Sequence, residues 1–280
     1  MKMDQGSMYD IIWGDSALLY NYPSKANIFL FDPPFYPRDK AYKQLRMDND
    51  INLKPIMMPE DWCEWFDSIC WIADKRLTDD GWFIFKADSI TFLIAYPILS
   101  KYFHFYREII WDKNLIGLGT MVRMRHELII MCYRNKKKPF WNYRVNPESK
   151  KMDYNTLDGE KTIIKIDGFH GSSKGIAFPS VLNVQKYANG TFGKKNKDTH
   201  INETPSDLWD MFLEFCVPEN GLIVDSCMGS GSILKSMIRL NDKLGRTMSY
   251  WGIEIDESYR KTLLEYLNNN IIQYIDDKNE

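Results

Sequence analysis

The chain has 280 residues, 44% of them hydrophobic and 26% charged, with a formal net charge of −2 at pH 7, a length that suits one large α/β domain or two small ones with a core that needs no disulfide staples. No apolar run reaches the ~20 residues that span a bilayer, the opening MKMDQGSMYD lacks the apolar segment of a secretory signal, and the cysteines (Cys63, Cys70, Cys132, Cys216 and Cys227) are scattered singly, with no CxxC pair and no zinc-ligand spacing. These features exclude a membrane-spanning, disulfide-framed or zinc-built protein and predict a cytoplasmic one with reduced core cysteines and no metal.

In chain order, two apolar runs, Tyr9 to Trp13 and Ile28 to Phe31, read as buried strands around an amphipathic turn or helix. The second runs into Asp32, Pro33, Pro34 and Phe35, an acid followed by two stiff residues and an aromatic. On its own, this tetrapeptide reads equally as a proline-rich turn closing a strand. From Pro59 to Leu77 the apolar residues recur at helical spacing, with Asp61 early and Lys75 and Arg76 late, in keeping with the helix dipole. DDGWFIFKAD supplies a turn and a strand, Ile90 to Leu99 a helix stopped or kinked around Pro97, and EIIWDKN and HELIIMCYRN two further strands. Strands alternating with helices in this way predict an α/β fold with a mostly parallel sheet covered on both faces.

From 136 to 198 the pattern dissolves into Gly, Asn, Ser and Lys with isolated aromatics. Residues 101 to 200 carry 19 Lys/Arg against 9 Asp/Glu, a local balance of +10; since the whole chain carries −2, the other 180 positions carry −12. Segregation of this kind suits a face for a polyanion. Arg134, Lys136, Lys137, Lys138 and Arg144, interleaved with aromatics, and the later cluster Lys194, Lys195 and Lys197 are the candidate phosphate contacts.

Regular structure returns with the helical stripe Leu208, Met211, Phe212 and Phe215, and then with GLIVDSCMGSGS. There a strand ends at Asp225, a Gly-rich turn (Met228, Gly229, Ser230, Gly231) follows, and a helix begins near Ile233. A strand, Gly-rich turn and helix N-terminus form a crevice for a nucleotide-like ligand. One βαβ step later YWGIEID carries Glu254, where a carboxylate can bind both ribose hydroxyls. The turn lacks the Lys-Ser/Thr of a P-loop and the full GxGxxG spacing of a dinucleotide site. S-adenosylmethionine, with ribose and adenine but no phosphate, fits what remains.

A methyl donor gives the Asp-Pro-Pro-Phe loop a chemical reading. Asp32 and the Pro33 carbonyl can accept from an exocyclic amino group while Phe35 stacks on the base. The lone pair of an aromatic amine is delocalised into its ring, and two acceptors favour the pyramidal, nucleophilic geometry and stabilise the positive charge that grows as the methyl arrives.

Taken in order, these segments resemble the β-group of amino-DNA methyltransferases over almost the whole chain: DPPF first, a target-recognition region next, the Gly-rich motif last. WGDSALLY is similar to the segment preceding the catalytic loop, IIWDKNLIGLGTMVRMRHELIIMCYRN to the Trp-x-Lys to His-Glu hairpin, and HINETP to the HPTxKP segment, departing from it at Ile201 and Thr204. Met228 likewise stands where that family usually has phenylalanine. The resemblance implies a single Rossmann-like domain with a seven-stranded, mostly parallel sheet, divided into catalytic (1–135), target-recognition (136–198) and cofactor-binding (199–280) parts. It implies Asp15 as an adenine contact and Asn202 as a neighbour of the methionine end of S-adenosylmethionine. It also implies double-stranded DNA as partner and the N6 of an extruded adenine as target, because Asp rather than Ser opens the catalytic motif. Cytosine-N4 methylation, a non-catalytic DNA-binding protein, a homodimer and a cognate restriction endonuclease stay open.

Overall fold

The structure, a computed structural model, describes residues 8–21, 24–37, 58–113, 124–134, 136–142, 171–172, 175–176, 180–183 and 204–276. Side chains that alternate along IFLF and WFIF decide its layers, because successive residues of a strand face opposite ways. Ile28, Leu30, Trp82 and Ile84 point into one core and Phe29, Phe31, Phe83 and Phe85 into another. Both faces of these strands are therefore buried, which explains the continuous apolar runs.

The strands are β1 (Tyr9–Trp13), β2 (Ala26–Phe31), β3 (Leu77–Ala87), β4 (His104–Asp112), β5 (His126–Tyr133), the short hairpin β6 (Gly171–Ser172) and β7 (Gly175–Ile176), β8 (Val181–Asn183), β9 (Leu222–Asp225) and β10 (Ser249–Glu254). Eight of them form one sheet in the order β1, β10, β9, β2, β3, β5, β4, β8. All pairs are parallel except those of β5 with β3 and β4. The expected α/β, Rossmann-like architecture is present, with eight strands among the described residues where seven were expected. The extra strand, β8, comes from the irregular region and lies along Ile110–Asp112 of β4.

Helices α1 (Pro59–Arg76) and α2 (Ser89–Leu99) cover one face. Helices α3 (Asp207–Cys216), α4 (Ser232–Leu244) and α5 (Arg260–Asp276) cover the other. The first helix starts at a proline in N1 and carries Glu60 and Asp61 in its first turn and Lys75 and Arg76 in its last, each sign placed where the dipole favours it. Its buried stripe includes Trp62, Phe66, Ile69 and Ala73. Phe66 alone, packed on Phe31, Phe85 and Trp62, contributes about 2 kcal/mol by burial.

In α2, Pro97 lies inside the helix. It removes the bond to the carbonyl of Leu93, a residue 69% exposed, where water can replace it. The Asp-Asp-Gly turn expected before β3 is instead a bulge within it: Ala26 pairs with Leu77, but Ile28 pairs with Trp82. On the opposite face α3 is buried on every side, and its Asp210 accepts from Arg239 and Ser236 of α4, each at 2.5 Å. No described helix is long and apolar enough to cross a membrane.

Candidate active site at the carboxyl ends of the central strands

Because β1, β10, β9, β2 and β3 run parallel, their carboxyl ends form one edge, the place where open α/β sheets hold ligands. The turn after β9 is shaped from below by Asp225, which is 1% exposed. Its carboxylate accepts from the Cys227 N–H at 3.1 Å and from the Tyr250 hydroxyl at 2.9 Å. Burial pushes its carboxyl up to about 8, against those two hydrogen bonds. Above it, Gly229 and Gly231 adopt φ of 53° and 80°, left-handed values that glycine takes without strain. A Cβ on Gly229 would meet nothing within 4 Å, so the turn borders open space there, whereas one on Gly231 would meet Leu263 Cδ1 at 2.7 Å.

Glu254 closes β10 beside this turn. One oxygen accepts from Gly229 N at 2.7 Å and the other from Asp256 N at 2.7 Å. The carboxylate is thus aimed by two backbone donors before any ligand arrives, and each oxygen retains a lone pair. Ile255, 61% exposed, adds an apolar surface next to it. Asp15 follows β1, whose Trp13 is in register with Glu254, and Gly14 N donates to the Glu254 carbonyl at 2.8 Å. Asp15 is exposed and caps its own turn through Ala17 N. An aimed carboxylate, an adjacent apolar face and an open glycine turn with no phosphate-clamping lysine fit a nucleoside with free ribose hydroxyls, and so fit S-adenosylmethionine.

On the neighbouring strand, β2 ends at Phe31 and the Asp-Pro-Pro-Phe loop leaves the sheet at the same edge. Trp62 Nε1 donates to the Pro34 carbonyl at 2.8 Å, and Tyr36 N donates to Thr91 Oγ1 at 3.0 Å. The loop is therefore held from α1 and α2 at once. Asp32 Oδ2 lies 2.7 Å from Lys86 Nζ and accepts from Thr204 Oγ1 at 2.5 Å. Lys86 also donates to Thr204 Oγ1 at 2.8 Å and lies 3.1 Å from Glu127 Oε2, an ion contact without hydrogen-bond alignment. Glu127 Oε1 takes Lys113 at 2.8 Å. Burial works against the charge of Lys86, but Asp32 and Glu127 outweigh it and raise its pKa. Burial likewise opposes the charge of Glu127, and Lys86 and Lys113 reverse that effect. The result is an alternating row of charges, Asp32, Lys86, Glu127 and Lys113, across β2, β3, β5 and the end of β4.

Lys86, Glu127, Lys113 and Trp62 were not among the residues expected at the site. The available signal was Lys86 itself, a lone charge in the apolar strand WFIFKA, which has to find a partner once buried.

The predicted basic residues divide. Arg134 is 6% exposed; it donates to the Leu77 carbonyl at 2.8 Å and pairs with Asp74 at 3.2 Å. Lys136, Lys137 and Lys138 are exposed, but β5 is antiparallel and ends where β3 begins, with Tyr133 opposite Trp82. The lysines therefore follow an end of β5 that lies about 13 Å along the strand from the level of Asp32. The stretch that follows them runs back over the sheet: Trp82 donates to the Phe140 backbone carbonyl and Trp141 packs on Phe215. Arg144, Lys194, Lys195, Lys197 and Asn202 lie outside the described residues. The chain does leave and re-enter at the site edge around the second lysine cluster, since Asn183 pairs with Asp112 at the end of β4 and Thr204 touches Asp32.

Comparisons with known proteins agree with this geometry. The DNA methylase family model N6_N4_Mtase matches residues 26–265. The type II methyltransferase M1.MboII of Moraxella bovis is 26% identical over 214 residues, covering 70% of this chain and 74% of its own. Among solved structures, M1.HpyAVI in complex with S-adenosylmethionine superposes with a TM-score of 0.58 at 15% identity, covering 93% of this chain and 99% of its own. The PvuII DNA methyltransferase, cytosine-N4-specific, does so with a TM-score of 0.57 at 16% identity over 90% and 84%. At these identities the structural likeness is one of fold.

Proposed function

This chain belongs to the N6_N4_Mtase family of DNA methylases, and from that premise we propose that it uses S-adenosylmethionine to methylate the N6 amino group of adenine in double-stranded DNA. The observation that carries this reading is the exit of two loops side by side. Phe29 of β2 pairs with Val224 of β9, so the Asp32 loop and the glycine turn open onto one crevice.

In that crevice Glu254 binds the ribose hydroxyls, Ile255 and Asp15 border the adenine, and Gly229 to Gly231 let the backbone approach the rest of the cofactor. Asp225 and Met228 act from beneath, by shaping the turn. When bound, S-adenosylmethionine supplies a methyl group to the amine nitrogen, the N–C bond forming as the S–C bond breaks.

The protein's part is to present the amine. Both contacts of Asp32 among the described residues fall on Oδ2, and we assign the other oxygen to the amine N–H, with the Pro33 carbonyl as second acceptor. Acceptors aimed at the nitrogen stabilise the charge that develops there and hold the lone pair towards the methyl group. Phe35 stacks on the extruded base, whose departure from the duplex costs a few kcal/mol that DNA contacts offset. The methylated amine loses its extra proton to water. We assign those DNA contacts to the segment carrying Lys194, Lys195 and Lys197, because its flanks reach the site edge, and to the β4–β5 hairpin. Arg134 serves as an internal strut, with its guanidinium turned to Asp74 and Leu77.

The test is to incubate the protein with unmethylated duplex DNA and S-adenosylmethionine, digest the DNA and identify the nucleosides by mass spectrometry. N6-methyladenine is expected. N4-methylcytosine overturns the choice of base, and unmodified DNA under conditions where the protein binds it overturns the enzymatic reading.

A further inference from the structure

Lys86 is the only charged residue in the second half of β3, Trp82 to Ala87, and it is 6% exposed. Burying a paired ion cluster seldom adds stability over apolar packing of the same volume, so its place beside Asp32 calls for another reason. An ammonium has three N–H donors, and Lys86 has three polar neighbours: Asp32 at 2.7 Å, Thr204 at 2.8 Å and Glu127 at 3.1 Å. Its three polar neighbours among the described residues are therefore all protein groups, one of them, Glu127, an ion contact only. Thr204 accepts from Lys86 and donates to Asp32, so both contacts to Asp32 meet at Oδ2. The same ammonium lies 5.5 Å from the ring centre of Phe35 and 5.5 Å from that of the buried Trp111, within the range of cation–π attraction.

We propose that Lys86 is a positioning residue for methyl transfer, holding Asp32 by Oδ2 and Phe35 by its ring so that both meet the base in one fixed geometry. This rests on the reading of Asp32 and Phe35 as the groups that face the base. Glu127 holds Lys86 from the far side and is itself held by Lys113. Its influence on the reaction passes through Lys86.

Turnover on unmethylated duplex DNA, S-adenosylmethionine affinity by calorimetry and thermal melting of Lys86→Met, Lys86→Arg, Glu127→Gln and the Lys86→Met/Glu127→Gln double variant test this. Lys86→Met is expected to lower kcat about 10²-fold, the scale of a group displaced by an ångström. Lys86→Arg keeps the charge but offers a planar fork in place of three radiating donors, and is expected to melt like the parent yet lose most of kcat. Glu127→Gln lowers kcat less, and in the double variant adds nothing to Lys86→Met. Cofactor affinity stays at the parent value throughout. Parent kcat in Lys86→Arg, multiplying losses in the double variant, or a fall in cofactor affinity matching the fall in kcat overturns the proposal. If Lys86→Met fails to fold, Lys86→Arg decides: lowered kcat at parent cofactor affinity and parent melting supports the proposal, and parent kcat overturns it. The underlying reading fails separately, if Asp32→Ala retains transfer.

Discussion

The indole N–H of Trp62 donates to the Pro34 carbonyl at 2.8 Å, so the first turn of α1 fixes the loop that carries Asp32. Trp62 is fully buried, stacked on Phe66 and edge-on to Tyr36. Trp62→Phe keeps an aromatic ring and removes the donor, leaving a loop carbonyl to find water. The lost hydrogen bond costs about 1 kcal/mol and the volume lost from a fully buried ring about 1 kcal/mol more, read together as a fall in Tm of about 4 °C for a chain of this size. Because the loop is loosened where we place the amine, kcat should fall while cofactor affinity stays at the parent value. An unchanged kcat would show that the prolines and the Tyr36–Thr91 bond fix the loop without Trp62.

Glu254 is held by the N–H groups of Gly229 and Asp256, so its removal costs a pre-aimed, charged acceptor. Hydrogen bonds to charged groups are worth about 1.5–3 kcal/mol, and Glu254→Ala should weaken S-adenosylmethionine about 10- to 100-fold in a calorimetric titration. Parent affinity in that variant would move the ribose to another partner on the same edge, such as Asp15.

The two lysine clusters make a paired prediction. Each phosphate contact contributes about −0.9 to the slope of log K against log salt. Replacing Lys194, Lys195 and Lys197 with alanine should flatten that slope, whereas replacing Lys136, Lys137 and Lys138, which follow the end of β5 remote from Asp32, should leave it as in the parent. The opposite pattern would put the DNA on the amino ends of the parallel strands and detach it from Asp32.

Asp225 predicts a pH dependence of stability. Burial, aided by Glu254 and Asp32, raises its carboxyl from 3.8 to about 8 in the folded protein. Between those values the folded state retains a proton that the unfolded chain has released. The corresponding stability is full below the lower value and is lost as pH rises through the upper one. Asp225→Asn cannot ionise, so its Tm relative to the parent should climb from pH 5 to pH 9. Parallel melting profiles over that range would contradict the shift.

Much of the fold was legible because apolar runs and punctuation act locally. Ile28 to Phe31, the stripe of α1 and the turn at Gly229 to Gly231 lie where the pattern put them. The bulge at Thr78 to Gly81 was not visible, since Asp-Asp-Gly reads as a turn unless the neighbouring strand is known. At the site, Asp32, Phe35, the glycine turn and Glu254 were readable as strand ends. Their partners were not: Thr204 reaches Asp32 across 172 residues and Glu127 reaches Lys86 from an antiparallel neighbour. Contacts of that kind are set by strand order, which periodicity does not encode. The same holds for Lys136 to Lys138, whose charge was evident but whose end of the sheet followed from the direction of β5.

The role of Asp32 as the amine acceptor is tested most directly by measuring two quantities on Asp32→Ala: labelled methyl incorporation into unmethylated duplex DNA and S-adenosylmethionine affinity. Incorporation should fall by about 10²- to 10³-fold or more, the cost of removing an acceptor aimed at developing charge, while the cofactor binds as it does to the parent. Transfer at the parent rate, or loss of cofactor binding in step with loss of transfer, would contradict the assignment of Asp32 to the amine.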